Sequence, residues 1–362
     1  MTNLSVHMPL VDLFCGAGGL SYGLKKAGFC PIFAADIDPH SVNTYNDNIG
    51  SHAIVADISK LSSSYILEQL QHKDIILVAG GPPCQGFSIQ RRGSAIDPRN
   101  DLVVTFTRLA VELHPKFILI ENVPGLLGVR GREYFNNIKL ILNGADYQFK
   151  ASMLNAVDFG IPQHRRRAFI VCWKSDLGIT FEYPKPRANG ERKTVRDAIG
   201  DLPEPPEDYT SHPNYFNHVR VRISATNVQR LSHVPPGGGR RDIPLKLQLR
   251  CHRDSNNHRH LDVFGRMQWD EPAPTITAVF DNASRGRFAH PEHNRVITAR
   301  EGARIQTFPD DFCFSGPKKD VARQIGNAVP PQLAKYLGDT ILHFLNKKNL
   351  LETNEQLPLS FR

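Results

Sequence analysis

Between residue 8 and about residue 175, short apolar runs alternate with stretches of helical periodicity. That alternation limits the possible fold more than any other feature of the chain. Residues 9–14, 31–35, 75–79, 117–120 and 168–173 read as strands, and 20–27, 41–46, 65–71, 102–113 and 134–143 read as helices between them. Runs of Val, Ile and Leu without polar alternation belong to strands covered on both faces. Strand–helix alternation of this kind specifies an α/β fold, a doubly wound and mostly parallel sheet. Such sheets place their chemistry in loops at the carboxyl ends of the strands.

One of these loops is Gly80-Gly81-Pro82-Pro83-Cys84-Gln85-Gly86-Phe87-Ser88, after the apolar run 74–79. Prolines restrict the backbone before the sulfur, and glycines let it turn on either side. The arrangement presents a thiol, which a buried structural cysteine would not require. A second loop, Phe14-Cys15-Gly16-Ala17-Gly18-Gly19-Leu20, links a strand to a helix and lets the backbone approach a nucleotide-like ligand. The dinucleotide fingerprint fails there, because Ser21 stands where a third glycine is needed. Asp36, in Ala34-Ala35-Asp36-Ile37-Asp38, is an acid at the tip of the second strand, where it can accept both ribose hydroxyls. Asp57-Ile58, after the third strand, reads equally as a helix N-cap or a ligand-binding acid.

Near Tyr183 the composition changes to Pro, His, Arg and Asn, and periodicity nearly vanishes until Arg300. We therefore expect a catalytic domain over 1–183, a smaller loop-rich domain over 184–310, and a return to the first domain over 311–362. The 44 Lys+Arg against 36 Asp+Glu leave a formal charge of +8, which suits a polyanionic partner. The six cysteines are scattered without a C-x-x-C pair, so a reducing compartment is expected. No apolar run approaches the ~20 residues that span a bilayer, and residues 1–7 lack a secretory pattern, so a cytoplasmic location without membrane contact is expected. Cys251-His252-Arg253-Asp254 through His258-Arg259-His260 fits no closed zinc site, and its arginines would repel a cation; no metal is expected. It reads instead as a loop facing a polyanion, as does Gly237-Gly238-Gly239-Arg240-Arg241, whose glycines expose backbone to phosphates.

Several blocks, in order, resemble the DNA (cytosine-5)-methyltransferases. They are Phe14-x-Gly16-x-Gly18, Pro82-Pro83-Cys84-Gln85-Gly86-Phe87-Ser88, Glu121-Asn122-Val123, Gln163-x-Arg165-x-Arg167, 300–309 and 324–331. The likeness covers most of residues 9–182 and 264–340. It implies a fold that binds S-adenosylmethionine through Phe14, Gly16, Gly18, Asp36, Ile37, Asp57, Ile58, Pro82, Leu102, Asn327 and Val329. It implies Cys84 as the nucleophile on C6 of cytosine and Glu121 as the group holding N3 and the exocyclic amine. Arg165 would contact the base and support the nucleophile. Arg167 would be structural or bind DNA.

Gln85, Ser88, Arg240, Arg241, Arg253, Arg285 and Arg287 are expected to bind double-stranded DNA, with Arg285 and Arg287 leading as base readers because i, i+2 residues of an extended loop share one side. The likeness further implies a monomer near the bacterial nucleoid, functionally paired with a restriction endonuclease without a stable complex. Methylation of RNA cytosine by the family's transfer-RNA branch and a DNA-binding regulator without catalysis are the alternative readings. An amino-methyltransferase lacks its Asp/Asn-Pro-Pro-aromatic motif here.

Overall fold

The computed structural model of the chain describes residues 8–83, 101–186, 192–253 and 262–355. The chain divides into two compact units. The first comprises Met1–Leu154, Arg166–Pro186 and Pro331–Arg362, and the second Asn155–Arg165 and Arg187–Pro330. No helix among the described residues is long and apolar enough to cross a membrane.

In the first unit the order is β1 (Pro9–Leu13), α1 (Gly19–Ala27), β2 (Cys30–Asp36), α2 (Pro39–Asn48), β3 (Ala53–Val55), α3 (Ser63–Gln69), β4 (Leu77–Gly80), α4 (Asp101–Glu112), β5 (Phe117–Asn122), α5 (Arg132–Gly144), β6 (Tyr147–Asn155) and β7 (Arg166–Lys174). The seven strands lie in the order β3-β2-β1-β4-β5-β7-β6. The pairs from β3 to β5 are parallel, and β7 runs antiparallel to β5. The doubly wound sheet is therefore as expected. Val11, Leu13, Val78, Ile118 and Ile120 enter its core with Phe106 of α4, which explains the unbroken apolar runs.

Strand order reverses between β1 and β4, whose register pairs Leu13 with Gly80. The glycine loop and the loop bearing Cys84 thus start side by side at the switch point, where doubly wound sheets bind ligands.

A C-terminal helix, Pro331–Glu355, returns to α1. A Cβ on Gly23 would overlap the Pro331 carbonyl, and one on Gly338 would stand 2.7 Å from the Ala27 Cβ, so glycine on each helix permits the close approach. Leu333, Leu337 and Ile341 are buried. This return was expected, but residues 311–330 belong to the second unit rather than the first.

The second unit carries only short helices: α6 (Val195–Ile199), α7 (Ala225–Ser232), α8 (Arg250–Arg253), α9 (Ala299–Ile305) and α10 (Lys318–Asn327). Isolated bridges such as Arg266↔Ala289 replace strands among its described residues. Buried carbonyls still need donors, and arginines supply them. Arg266 donates to the carbonyls of Leu231, Val234, His290 and His293 and to Asn294 Oδ1, at 2.6–2.8 Å. Arg300, fully buried, donates to the carbonyls of Phe216, Pro309 and Phe312 at 2.7–2.8 Å. A planar fork of five N–H groups can bind several loops at once. Leu231, Val234, Ile243, Val263, Phe264 and Val296 form a small core beside them.

Candidate active site and ligand loop

The loop after β1 turns through positive φ at Phe14 (64°), Gly16 (52°) and Gly18 (93°). Gly18 has no room for a side chain: a Cβ there would overlap Ile49 and stand 2.9 Å from the Tyr45 ring. A Cβ on Gly16 would meet nothing within 4 Å among the described residues, so the loop is open above that glycine. Asp36 closes the loop from β2. Its Oδ2 accepts the Gly16 N–H and its Oδ1 the Asp38 N–H, both at 2.9 Å. Burial pushes the Asp36 carboxyl up, against those two bonds. Ile37 beside it is 68% exposed, an apolar side chain with no cover.

Asp57 caps the turn Ile58–Lys60, accepting from the Ser59 hydroxyl and N–H at 2.7 and 3.0 Å, which hold its carboxyl below the usual range. Ile58 is buried in the core. Leu102 is half-buried on α4 and Pro82 is buried.

Around the other loop, Asn122 at the end of β5 donates its side-chain amide to the Pro82 carbonyl at 3.0 Å. The neighbouring Glu121 points its carboxylate toward Gly81, with Oε2 3.1 Å from where a Cβ would sit. Arg167 on β7 pairs with Glu121, Nε to Oε1 at 3.1 Å. Both side chains are mostly buried, at 18% and 11% exposure, so the pair is screened less than a surface pair would be. Cys84, Gln85 and Ser88 lie outside the described residues.

Arg165, expected at the base, and Arg167, expected to be structural or to bind DNA, meet different partners. Arg165 is 1% exposed and donates to the carbonyls of Ile276, Gly326 and Asn327, all in the second unit. It holds backbone together, while Arg167 faces the acid. The sequence reading also missed Asn122 as the tie that holds the Pro82 end of the loop; an amide just after a strand-end acid was the signal available.

The chain as a whole has counterparts among known proteins. The model of the C-5 cytosine-specific DNA methylase family matches residues 8–343. The chain belongs to that family. Its relatives include the Type II methylase M.HgiDII of Herpetosiphon aurantiacus, 34% identical over 93% of this chain and 95% of that protein. Another is the Type II methyltransferase M1.HphI of Haemophilus parahaemolyticus, 37% identical over 93% and 87%. Among solved structures, that of a DNA modification methyltransferase encoded within a prophage (E. coli) is 28% identical, with TM-score 0.74 over 94% of this chain and 99% of that one. The S. pombe Dnmt2 methyltransferase, at 21% identity and TM-score 0.65, shares the fold. This chain is thus a DNA (cytosine-5)-methyltransferase, and DNA is its substrate.

For this methyltransferase the arginines of the second unit divide by what they touch. Arg240 is buried. Arg287 is engaged: its guanidinium donates to the carbonyls of Gly237, Gly238 and Arg266 and to the Asp262 carboxylate. Neither suits the DNA contact expected of it, because the backbone already takes the guanidinium of Arg287 and burial removes Arg240 from the surface. Arg241, Arg253 and Arg285 are exposed. Arg285 ends a short turn, Ala283–Arg285, capped by Asn282. Arg259 lies outside the described residues. Asn327 ends α10 and Val329 is buried, both in the second unit.

Proposed function

We propose that this methyltransferase modifies C5 of a cytosine flipped out of duplex DNA, using S-adenosylmethionine, with Cys84 as a transient covalent nucleophile. The observation that carries the reading is the Glu121–Arg167 pair, aimed at Gly81 on the loop that runs into Cys84. The glycine loop fits the cofactor: it is open above Gly16, the Asp36 carboxylate stands at its edge for ribose hydroxyls, and exposed Ile37 offers an apolar surface to a purine ring. The chemistry supplied by bound S-adenosylmethionine is an electrophilic methyl group for C5.

The chain's own residues make C5 able to accept it. C6 of cytosine is a poor electrophile, and only about 3% of an unperturbed thiol is ionised at neutral pH. The Cys84 thiolate adds to C6, while Glu121, as a protonated carboxyl, gives its proton to N3 and accepts the exocyclic N–H with its other oxygen, so the charge entering the ring is neutralised at N3. The proton returns to Glu121 when the thiolate departs. Arg167 keeps the Glu121 side chain in place. After methylation the C5 proton leaves, the C5–C6 double bond re-forms and the thiolate departs. Flipping costs a few kcal/mol, and phosphate contacts by Arg241, Arg253 and Arg285 would offset it. The Type II relatives point to the modification half of a restriction–modification system.

The experiment uses duplex DNA carrying 5-fluorocytosine at the target. Fluorine cannot leave as the C5 proton does, so the wild type should form an adduct that survives denaturation. Cys84→Ala should form none and should transfer no tritiated methyl while still binding DNA. Methyl transfer by the alanine variant would overturn the assignment.

A further inference from the structure

Beneath the glycine loop runs a line of polar side chains that the proposed transfer does not use. Asp12 on β1 is fully buried. Ser21 of α1 donates its hydroxyl to Asp12 Oδ2 at 2.6 Å, and Tyr45 of α2 donates its hydroxyl to Ser21 Oγ at 3.0 Å. The Tyr45 oxygen lies 3.1 Å from His52 Nε2. A phenol has one hydrogen, already directed at Ser21, so His52 Nε2 must be the donor. Every hydrogen in the chain therefore points inward at Asp12. The chain is also tied to the loop, since the Tyr45 ring packs where a Cβ on Gly18 would sit.

The other oxygen, Asp12 Oδ1, is buried with no hydrogen-bond partner among the described residues. A carboxylate left half-satisfied in a protein interior is costly. Burial pushes the Asp12 carboxyl up to about 7, the Ser21 bond opposes this, and the charge of Asp36 adds to it. The other groups around the line cannot take over its titration at neutral pH. Burial raises the Cys15 thiol and the Tyr45 phenol well above their ordinary values, so both stay neutral. His52 is lowered by burial and by Lys25.

We propose that Asp12 is a proton-linked positioning residue for the ligand loop. While the loop is empty it is only partly ionised at neutral pH, and it gives up its remaining proton when the cationic methyl donor binds. The inference rests on the S-adenosylmethionine reading. That molecule carries a sulfonium and an ammonium against one carboxylate, a net charge of about +1, whereas S-adenosylhomocysteine is net neutral at neutral pH. A bound cation near a buried carboxyl favours its ionised form. The inward-pointing chain from His52 then stabilises the charge that forms on Oδ2. By linkage, binding is strongest where Asp12 is already ionised and weakens as pH falls through about 7.

Isothermal calorimetry on the full chain tests this directly. S-adenosylmethionine and S-adenosylhomocysteine would be titrated at pH 6, 7 and 8, in buffers of different ionisation enthalpy. The wild type should release about half a proton per S-adenosylmethionine at pH 7 and bind about tenfold more weakly at pH 6 than at pH 8. S-adenosylhomocysteine should release fewer protons. Asp12→Asn should abolish the release and flatten the pH dependence. Tyr45→Phe, which interrupts the chain and keeps the carboxyl, should move the release to higher pH.

Heats that do not depend on buffer in the wild type would overturn the proposal while leaving the cofactor reading intact. So would undiminished release by Asp12→Asn, which would make Asp36 the source. If Asp12→Asn does not fold, an unmoved profile in Tyr45→Phe overturns it instead. A wild type that binds no S-adenosylmethionine defeats the cofactor reading itself, and this inference with it.

Discussion

Replacing Arg165 by alanine removes a guanidinium that donates to the carbonyls of Ile276, Gly326 and Asn327 at 3.1, 3.0 and 3.3 Å. Hydrogen bonds from a charged donor contribute about 1.5–3 kcal/mol each. They do not sum, because water entering the vacated space rehydrates part of the backbone, so the expected loss is about 3–5 kcal/mol. For a unit of this size that lowers the melting temperature by roughly 6–20 °C. Arg167→Ala is the contrast. It removes one mostly buried pair and leaves Glu121 without it, so unfolding should shift by about 1–3 kcal/mol. Single-turnover methylation should nevertheless fall at least about tenfold, the equivalent of one charge-assisted bond to Glu121. Calorimetric melting and rapid-quench methyl transfer on both variants make the comparison. If Arg165→Ala melted with the wild type yet lost methyl transfer, Arg165 would be the residue at the base and its reading as a backbone tie would be wrong.

The same logic separates Arg285 from Arg287. Arg287→Ala should lower stability and leave the methylated sequence unchanged. Arg285→Ala should keep stability and either relax the site, if the arginine reads a base at about 1–3 kcal/mol, or flatten the salt dependence of binding, if it holds a phosphate; sequencing of methylated DNA with melting curves distinguishes these.

Glu301 sets an acid limit. Burial raises its carboxyl, but the charge and hydrogen bonds of Arg295 outweigh this and hold it at about 2 against an ordinary 4.5. A depressed folded-state value means that the stability is present above about pH 4.5 and is lost as pH falls toward 2. Arg295→Met should move acid unfolding, followed by circular dichroism, to higher pH; an unmoved midpoint would remove Glu301 from control.

Much of the first unit was legible because its strands are buried on both faces and its motifs are local. The glycine loop, Asp36 and Glu121 stand where strand ends were expected. Strand β6 was not read, since Tyr147-Gln148-Phe149-Lys150-Ala151-Ser152 is an edge strand with mixed burial and mixed polarity. The partners of Arg165 and Arg167 could not be read from their motif, because Arg165 donates to carbonyls more than 100 residues away and Arg167 pairs with an acid on another strand. Arg285 closes the short turn Ala283–Arg285, which the assumption of an extended loop through 285 and 287 did not anticipate. The glycines at 237 and 238, expected to offer amides to phosphates, donate those amides to the carbonyls of Arg266 and Pro235 and give their own carbonyls to Arg287. Long-range partnerships of this kind leave no periodic trace in a sequence.

The return of the C-terminal helix to α1 has a consequence for biosynthesis. A ribosome delivers α1, all seven strands and the whole of the second unit, most of it after the last strand, before the helix that covers α1 is made. Domains fold as units during synthesis, the earlier parts first. Here the earlier part has to wait. Its Leu24 face and the glycine surface of α1 stay uncovered until Pro331 and the residues after it have emerged, by which time the second unit has had its full length in which to fold. A nascent chain would therefore complete the unit that carries the chemistry last, and premature termination anywhere before the final helix would leave a sheet with one side of its first helix bare.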